Sequence, residues 1–267
     1  MKRLVLVMIP ALFCGMMFTG CGYKMDEEVD NMISKDPNYP TTINRLSEET
    51  LLQMRSHYAQ RNPFVQSTID QFGFCATENV EAMDAPSGSL TREEAIAAVK
   101  NFVARNPDNT GISNFDDLYF DQIETCTHYN NVYWHFCAKQ KNINNIEMYG
   151  TGIVFHIINK AVYLCCGNHF PNVYVPKKFN FEIERAKSKL LGKEVIHLGW
   201  AGEYSLGKIK TEHLQESVTN LIVIPLKTEE KIELRVAWKI YLASLHYIFY
   251  VDVMTGEIIQ EEPTIIH

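Results

Sequence analysis

Thiol and imidazole side chains concentrate around one short stretch of the chain. Cys126, His128, His135 and Cys137 flank a turn-like sequence at residues 129–131. Because side chains alternate between the two faces of a strand, this spacing places all four on one face of a hairpin. Thiolates and imidazoles are ligands that zinc prefers, so a metal site is one interpretation. A packed sheet face of small and aromatic side chains is the other; we favour it and predict no metal ion.

The sequence lacks the motifs of the common hydrolases. His-Glu-x-x-His, Gly-x-Ser-x-Gly and a phosphate-binding glycine loop do not occur. A nucleophilic cysteine needs a positioned base and a lowered pKa. Cys75, which ends the sequence Phe-Gly-Phe-Cys, is the one candidate with a local context, and that context is weak. We therefore predict that the chain is not an enzyme and holds no cofactor.

The first twenty residues have the three zones of an export signal. Residues 2–3 are basic, residues 4–18 are almost wholly apolar, and residues 19–20 are small. The apolar run is shorter than the roughly 20 residues that cross a bilayer, which predicts removal rather than a membrane-spanning helix. Residues 18–21, Phe-Thr-Gly-Cys, resemble the lipobox of bacterial lipoproteins, which implies acylation of Cys21. An ordinary secretory signal with a chance cysteine is the alternative.

The lipobox resemblance implies a bacterial envelope protein that is anchored in the membrane through Cys21. Gly22 follows in place of the aspartate that is associated with retention at the inner membrane, so we expect the outer membrane. Asp26, Glu27 and Glu28 resemble the acidic surface-export tag of some lipoproteins. A solvated, charged tether explains these three residues equally well.

Cysteine usage leaves several pairings open. Of seven cysteines, Cys14 belongs to the signal and Cys21 to the lipid, which leaves an odd number in an exported chain. We interpret the rest as buried small hydrophobic residues with at most one disulfide. The sequence does not select a pair among Cys75, Cys126, Cys137, Cys165 and Cys166.

The charge of the chain argues against one class of partner. The formal charge is −7, and removal of Lys2 and Arg3 with the signal makes it −9. An acidic protein gains nothing from the counterion release that drives non-specific binding to nucleic acid. Nucleic acid is therefore not an expected partner.

Two blocks of helix followed by strands succeed one another. Apolar residues recur at helical spacing over 95–103 and again over 182–191, and alternating strand patterns follow each helix. A further short helix is expected over 65–72. Each block can bury a sheet face against its helix, which predicts an α+β chain with two similar halves. The predicted segments are a signal peptide at 1–20, a lipid-anchored tether at 21–46, a helical segment and linker at 47–88, and two domains at 89–178 and 179–267.

The second domain ends in a recognisable pattern. Trp238 and Tyr241 lie in a strand, and Asp252, Thr255 and Gly256 belong to the sequence Asp-x-x-Thr-Gly-Glu after an aromatic-rich strand. Aspartate can cap such a turn and glycine can adopt positive φ. This arrangement resembles the hallmark of PepSY domains and implies a structural role for these five residues.

The first domain is similar to the fungalysin/thermolysin propeptide (FTP) family. The resemblance rests on residues 95–102 and on residues 146–157, which contain Gly150 and Gly152. Thr151 stands where the family has a second adjacent glycine, a modest departure. The two resemblances together imply consecutive cystatin-like or PepSY-like units, each a helix with an antiparallel sheet.

The order of the two domains reproduces the propeptide of thermolysin-type metalloproteases, in which a zinc catalytic domain follows. No such domain follows here, so we expect a propeptide-like chain without its protease. The predicted function is a non-catalytic envelope lipoprotein that binds or inhibits a peptidase or assists its folding. The alternatives are a surface scaffold or ligand-binding lipoprotein with no peptidase link and, less favoured, an enzyme at the hairpin Cys/His face.

Overall fold

The computed structural model describes residues 34–77, 90–128, 131–199 and 202–264. The predicted signal peptide, Cys21, the first part of the tether and the linker at 84–88 lie outside these ranges. The α+β prediction is confirmed, because helices alternate with antiparallel sheets along the described chain. No helix within these ranges is both long and apolar enough to cross a membrane.

The secondary structure divides into short helices and longer strands. The helices are α1 (Glu48–Arg61), α2 (Arg92–Arg105), α3 (Pro107–Thr110), α4 (Ile183–Ser188) and α5 (Thr211–Gln215). The strands are β1 (Thr41–Asn44), β2 (Thr68–Ile69), β3 (Cys75–Ala76), β4 (Leu118–His128), β5 (Asn131–Gln140), β6 (Glu147–Met148), β7 (Gly152–Ile158), β8 (Ala161–Asn168), β9 (Glu194–Gly199), β10 (Gly202–Lys208), β11 (Val218–Lys227), β12 (Lys231–Leu242), β13 (Tyr247–Asp252) and β14 (Ile258–Pro263).

Side-chain caps set the first residues of helices α1 and α2. The Ser47 side chain accepts a hydrogen bond from the backbone N–H of Thr50. Thr91 and Glu94 form a reciprocal capping box at the start of α2. Such caps satisfy N–H groups that have no partner inside the helix. The cap therefore fixes where α2 starts against the first sheet.

The first sheet has the order β4-β5-β7-β8, and every neighbouring pair is antiparallel. The predicted hairpin of β4 and β5 is confirmed. Helices α1 and α2 cover one face of the sheet, where Phe102, Phe136 and Phe155 are almost completely buried. The opposite face, which we call the outer face, carries the thiol and imidazole residues that opened the sequence analysis.

The helix predicted over 65–72 is wrong. This segment contains β2, which pairs with β3 in a short hairpin. The Asp70 carboxylate accepts hydrogen bonds from the backbone N–H groups of Phe72 and Phe74, and Gly73 has a φ of +93°. A turn held by an aspartate and a left-handed glycine interrupts the helical spacing of the apolar residues.

The second sheet has the order β14-β13-β12-β11-β6, and β12 is long enough for two neighbours on one side. Its second half pairs with β13, whereas its first half pairs with β1. Residues 41–44 were predicted to belong to the tether, so their place in a sheet is a correction. Ile43 packs against a buried cluster that includes Val223 and Leu234 of the second sheet, which gives this segment apolar contacts that a free tether lacks.

A strand from the first half joins the second sheet. Strand β6 pairs in parallel with β11 through Ile222 and Val223, and the Tyr149 N–H donates to the Val223 carbonyl at 2.8 Å. The propeptide-like stretch at 146–157 is not one continuous strand, because the chain turns between β6 and β7 at Gly150, where φ is +65°. The two similar halves are therefore linked by backbone pairing as well as by side-chain packing.

Helix α4 and a ribbon of β9 and β10 pack on the second sheet. Ala186 of α4, Leu190 just after that helix and Val195 of β9 are buried with Ile240 and Phe249 of the sheet. The helix agrees with the predicted helix-on-sheet arrangement. The ribbon was not predicted, because much of its sequence is polar and exposed.

Replacement of Gly256 by alanine is expected to destabilise the fold strongly. The residue has a φ of +71°, and an added Cβ would lie 2.4 Å from the Phe181 ring. Left-handed strain and overpacking together should lower the free energy of unfolding by about 2–4 kcal/mol. Urea unfolding of the purified variant measures this effect.

Gly192→Ala is the matched control, because Gly192 has a similar φ of +79° and open space around the added Cβ. We expect a loss of only about 1 kcal/mol there. Equal losses at the two positions would contradict the account of the Phe181 contact.

Candidate functional site

The family-motif residues build a closed turn after β13. The Asp252 carboxylate is completely buried, and its Oδ1 accepts hydrogen bonds from the N–H groups of Met254 and Thr255 at 2.7 and 2.9 Å. The Gly256 N–H donates to the Asp252 carbonyl, which closes the turn. A buried carboxylate needs such partners because its desolvation is otherwise unfavourable.

The second carboxylate oxygen of Asp252 reaches other parts of the chain. The Tyr39 hydroxyl donates to Oδ2 at 2.7 Å and accepts from the Val236 N–H at 3.0 Å. The Arg235 guanidinium approaches the same oxygen at 3.4 Å and also pairs with Glu233. Burial and the neighbouring Asp252 charge raise the pKa of Tyr39 well above its ordinary value, so this hydroxyl stays a donor.

The remaining motif residues also have structural positions. The Trp238 indole N–H donates to the Phe181 carbonyl at 2.9 Å, and Tyr241 lies in β12 opposite Val218 and Ile248. Gly152 begins β7, an interior strand of the first sheet, and lies opposite Asn168 of β8. Within the described chain, these residues are used in turns and packing rather than presented to a substrate.

The outer face brings together most of the predicted thiol and imidazole residues. Cross-strand register places His135 opposite both Glu124 and His156, and Cys137 opposite both Gln122 and Val154. The His128 side chain lies outside the described atoms. The face is formed by Gln122, Glu124, Cys126, Tyr133, His135, Cys137, Val154, His156, Leu164 and Cys166.

Three of these side chains form one hydrogen-bonded chain with Tyr163 of β8. His135 Nε2 lies 3.0 Å from Cys137 Sγ, and His135 Nδ1 lies 2.8 Å from His156 Nε2. His156 Nδ1 lies 3.3 Å from the Tyr163 hydroxyl. Neutral imidazoles satisfy this chain in either direction, because each ring has one donor and one acceptor nitrogen. We call Cys137, His135, His156 and Tyr163 the relay.

Burial and nearby charges favour the neutral forms of His156 and the Cys137 thiol. Burial, followed by the neighbouring His135, lowers the pKa of His156 to about 4. Burial and the charges of Asp121 and Glu124 raise the pKa of the Cys137 thiol above its ordinary value. A thiol nucleophile needs the opposite shift. Cys137 therefore contacts an imidazole, that of His135, but its thiolate form is not favoured.

Cys126 does not join the relay. Its thiol lies 3.7 Å from the Glu124 carboxylate, and burial together with that charge raises its pKa. Among the described residues, no three His, Cys, Asp or Glu side chains are placed to hold a metal ion. The relay nitrogens are directed at one another, which leaves them no shared point for a ligand.

A cleft lies beside the ribbon in the second half. Its volume is about 450 Å³, within the range of small-molecule pockets. The rings of His197 and Tyr204 are in contact, tilted by 52° with centroids 5.0 Å apart, and Thr264 Oγ1 is buried there without a hydrogen-bond partner among the described atoms. The lining residues are His197, Tyr204, Leu206, Ser244, Leu245, His246, Pro263 and Thr264.

The neutral state of His156 predicts that stability depends on pH. The unfolded chain takes up a proton near pH 6.5, whereas folded His156 does so near pH 4, so the unfolded state binds more protons in between. The free energy of unfolding should therefore fall as the pH is lowered through this window. After allowance for the partial exposure of the ring, we expect His156→Gln to reduce that fall by about 1–2 kcal/mol.

Urea unfolding at about pH 7 and about pH 4.5 measures the difference. His57→Gln, at an exposed position on α1, is the control and should leave the pH dependence unchanged. An unaltered pH dependence in His156→Gln would show that the ring titrates as it does in the unfolded chain.

Comparisons with known proteins do not identify a family for the chain. No family model matches the chain, and no curated protein matches it significantly. Among solved structures, the chain is similar to the Bacillus megaterium YpeB C-terminal domain, with 11% identity and a TM-score of 0.32. That alignment covers 82% of this chain and 98% of the other. A likeness this distant carries no conclusion about function.

Proposed function

We propose that the chain is a non-catalytic, lipid-anchored module of the bacterial envelope. In this proposal, Cys21 carries the lipid, and the two propeptide-like halves bind a separately encoded peptidase. Binding would mask the peptidase cleft or assist its folding, as the resemblance to thermolysin-type propeptides implies. The lipid keeps the module at the membrane, so the module acts by binding and is not discarded as a propeptide is.

The observation that carries the proposal is the use of the motif residues in architecture. Asp252 is completely buried and occupied by backbone donors and by Tyr39. Gly256 is packed against the Phe181 ring. The turn of the PepSY-like motif is therefore built around a buried, fully occupied carboxylate, which favours a binding role for the surfaces that it supports.

The relay also favours a binding role over a catalytic one. The pKa of its Cys137 thiol is raised above the ordinary value. General-base activation of a thiol would require a basic imidazole and a stabilised thiolate. The relay has the residue types of a catalytic cysteine site, but it therefore lacks the electrostatics of one.

An open sheet edge offers a surface for a protein partner. Strand β4 is an edge of the first sheet and pairs only with β5 among the described strands. Tyr119 on this strand is 55% exposed, and its neighbour Asp121 pairs with Lys139 at 2.7 Å. An edge strand presents unpaired backbone groups to which an extended segment can add, and aromatic side chains often anchor such contacts.

Capture from native envelopes, followed by a thermolysin-type activity assay, tests the proposal. Wild-type chain should recover a peptidase and alter its activity at micromolar concentration. Tyr119→Ala should weaken that binding by about tenfold or more, the loss typical of an aromatic anchor. Tyr204→Ala is the matched control, because Tyr204 is 52% exposed on the other half of the chain.

Recovery of no peptidase, together with no effect on peptidase activity, would contradict the peptidase proposal. The anchor is tested separately by palmitate labelling, which Cys21→Ala should abolish. Loss of labelling without loss of peptidase binding would separate the two parts of the proposal.

The second candidate is a ligand-binding envelope lipoprotein with no peptidase link. The cleft lined by His197, Tyr204 and His246 favours it, because aromatic rings beside a hydroxyl can hold a small polar ligand. The same variant pair separates the two candidates. Tyr204→Ala should abolish retention of small molecules on the purified chain, and Tyr119→Ala should not.

A further inference from the structure

Two cysteine thiols from distant parts of the sequence lie together in the first core. Cys75 belongs to β3 and is 2% exposed, and Cys165 belongs to β8 and is fully buried. Both residues are packed in the same buried cluster, and the Cys75 thiol is near enough to raise the pKa of the Cys165 thiol. Cys75 Sγ also donates to the Tyr58 hydroxyl at 3.6 Å.

The backbone holds these two cysteines side by side. The Cys165 N–H donates to Ser67 Oγ at 2.8 Å, and the Gln66 N–H donates to the Tyr163 carbonyl at 2.6 Å. These contacts attach the β2–β3 hairpin along the open side of β8. The pairing of Ile69 with Cys75 then brings the Cys75 side chain over the core face of the first sheet.

The neighbouring thiol, Cys166, is a poorer partner for Cys75. Successive residues of a strand point to opposite faces, so Cys166 lies on the outer face while Cys165 lies in the core. Cys166 instead hydrogen-bonds with Thr77. Geometry thus selects one pair from the pairings that the sequence left open.

We propose that Cys75 and Cys165 form a disulfide bond when the chain meets a disulfide oxidant. One S–S bond forms, both S–H bonds break, and two electrons and two protons pass to the disulfide of the oxidant, which becomes two thiols. In the cell this step rests on the envelope location in the proposed function, because such oxidants act outside the cytoplasm. The pairing itself depends only on the fold.

The bond would hold the β2–β3 hairpin to the first sheet. It closes a loop of roughly 90 residues that includes α2 and all of β4 to β7, and long loops gain most from cross-linking in the chain-entropy model. Oxidation should therefore raise the unfolding midpoint by about 5 °C or more. Addition of a reductant should reverse the gain.

The experiment uses the soluble mature chain in a glutathione redox buffer. Free thiols are alkylated, and the unreduced protein is digested with trypsin. The expected product joins the peptide of residues 62–92, which contains Cys75, to the peptide of residues 161–177. Fragmentation should show the alkyl group on Cys166 and the cross-link on Cys165.

Cys165→Ala and Cys166→Ala are matched variants of adjacent positions on opposite faces. The first should abolish the joined peptide and the gain in midpoint, and the second should retain both. A cross-link through Cys166, or alkylation of both Cys75 and Cys165 after full oxidation, would overturn the proposal. The fragmentation result on wild-type chain decides the matter even where a variant fails to fold.

These outcomes are independent of the proposed function. No lipid and no peptidase is present in the assay, so loss of either part of that proposal leaves the thiol result intact. Conversely, free thiols in the oxidised chain would leave the peptidase and palmitate results unaffected.

Discussion

The buried Asp252 carboxylate is the constraint on which the second half of the molecule depends. A fully desolvated carboxylate is tolerated only when it is surrounded by donors, and here they come from three parts of the chain. Two donors are backbone N–H groups of its own turn, one is the Tyr39 hydroxyl, and one is the Arg235 guanidinium. Satisfaction of this one group therefore attaches the segment before β1 to the centre of the sheet and fixes the geometry of the turn.

Local patterns predicted the elements whose signals lie within a few residues. The caps at Ser47 and Thr91, the β4–β5 hairpin and the turn at Asp252–Gly256 all follow from neighbouring residues. The place of Tyr39 could not be predicted in this way, because its partner lies 213 residues away and its own surroundings are rich in Pro and Asn. The parallel pairing of β6 with β11 escaped prediction for the same reason.

The candidate site was also predictable only where its residues lie within a single strand. Strand parity alone placed His135 and Cys137 on one face, since both lie in a single strand. The addition of His156 and Tyr163 required the register of β5, β7 and β8, including the irregularity after His156, which no local pattern specifies. The electrostatic character of the relay could not be predicted either, because it arises from burial in the assembled sheet.

The account holds that the motif residues serve architecture and leave function to the surfaces that they support. A double-mutant cycle on Tyr39→Phe and Asp252→Asn tests this most directly, with the free energy of unfolding as the readout. If the two groups act as one buried unit, the coupling energy should be about 1.5 kcal/mol or more, the value typical of a hydrogen bond to a charged group. Additive effects, with a coupling within about 0.3 kcal/mol of zero, would contradict the account.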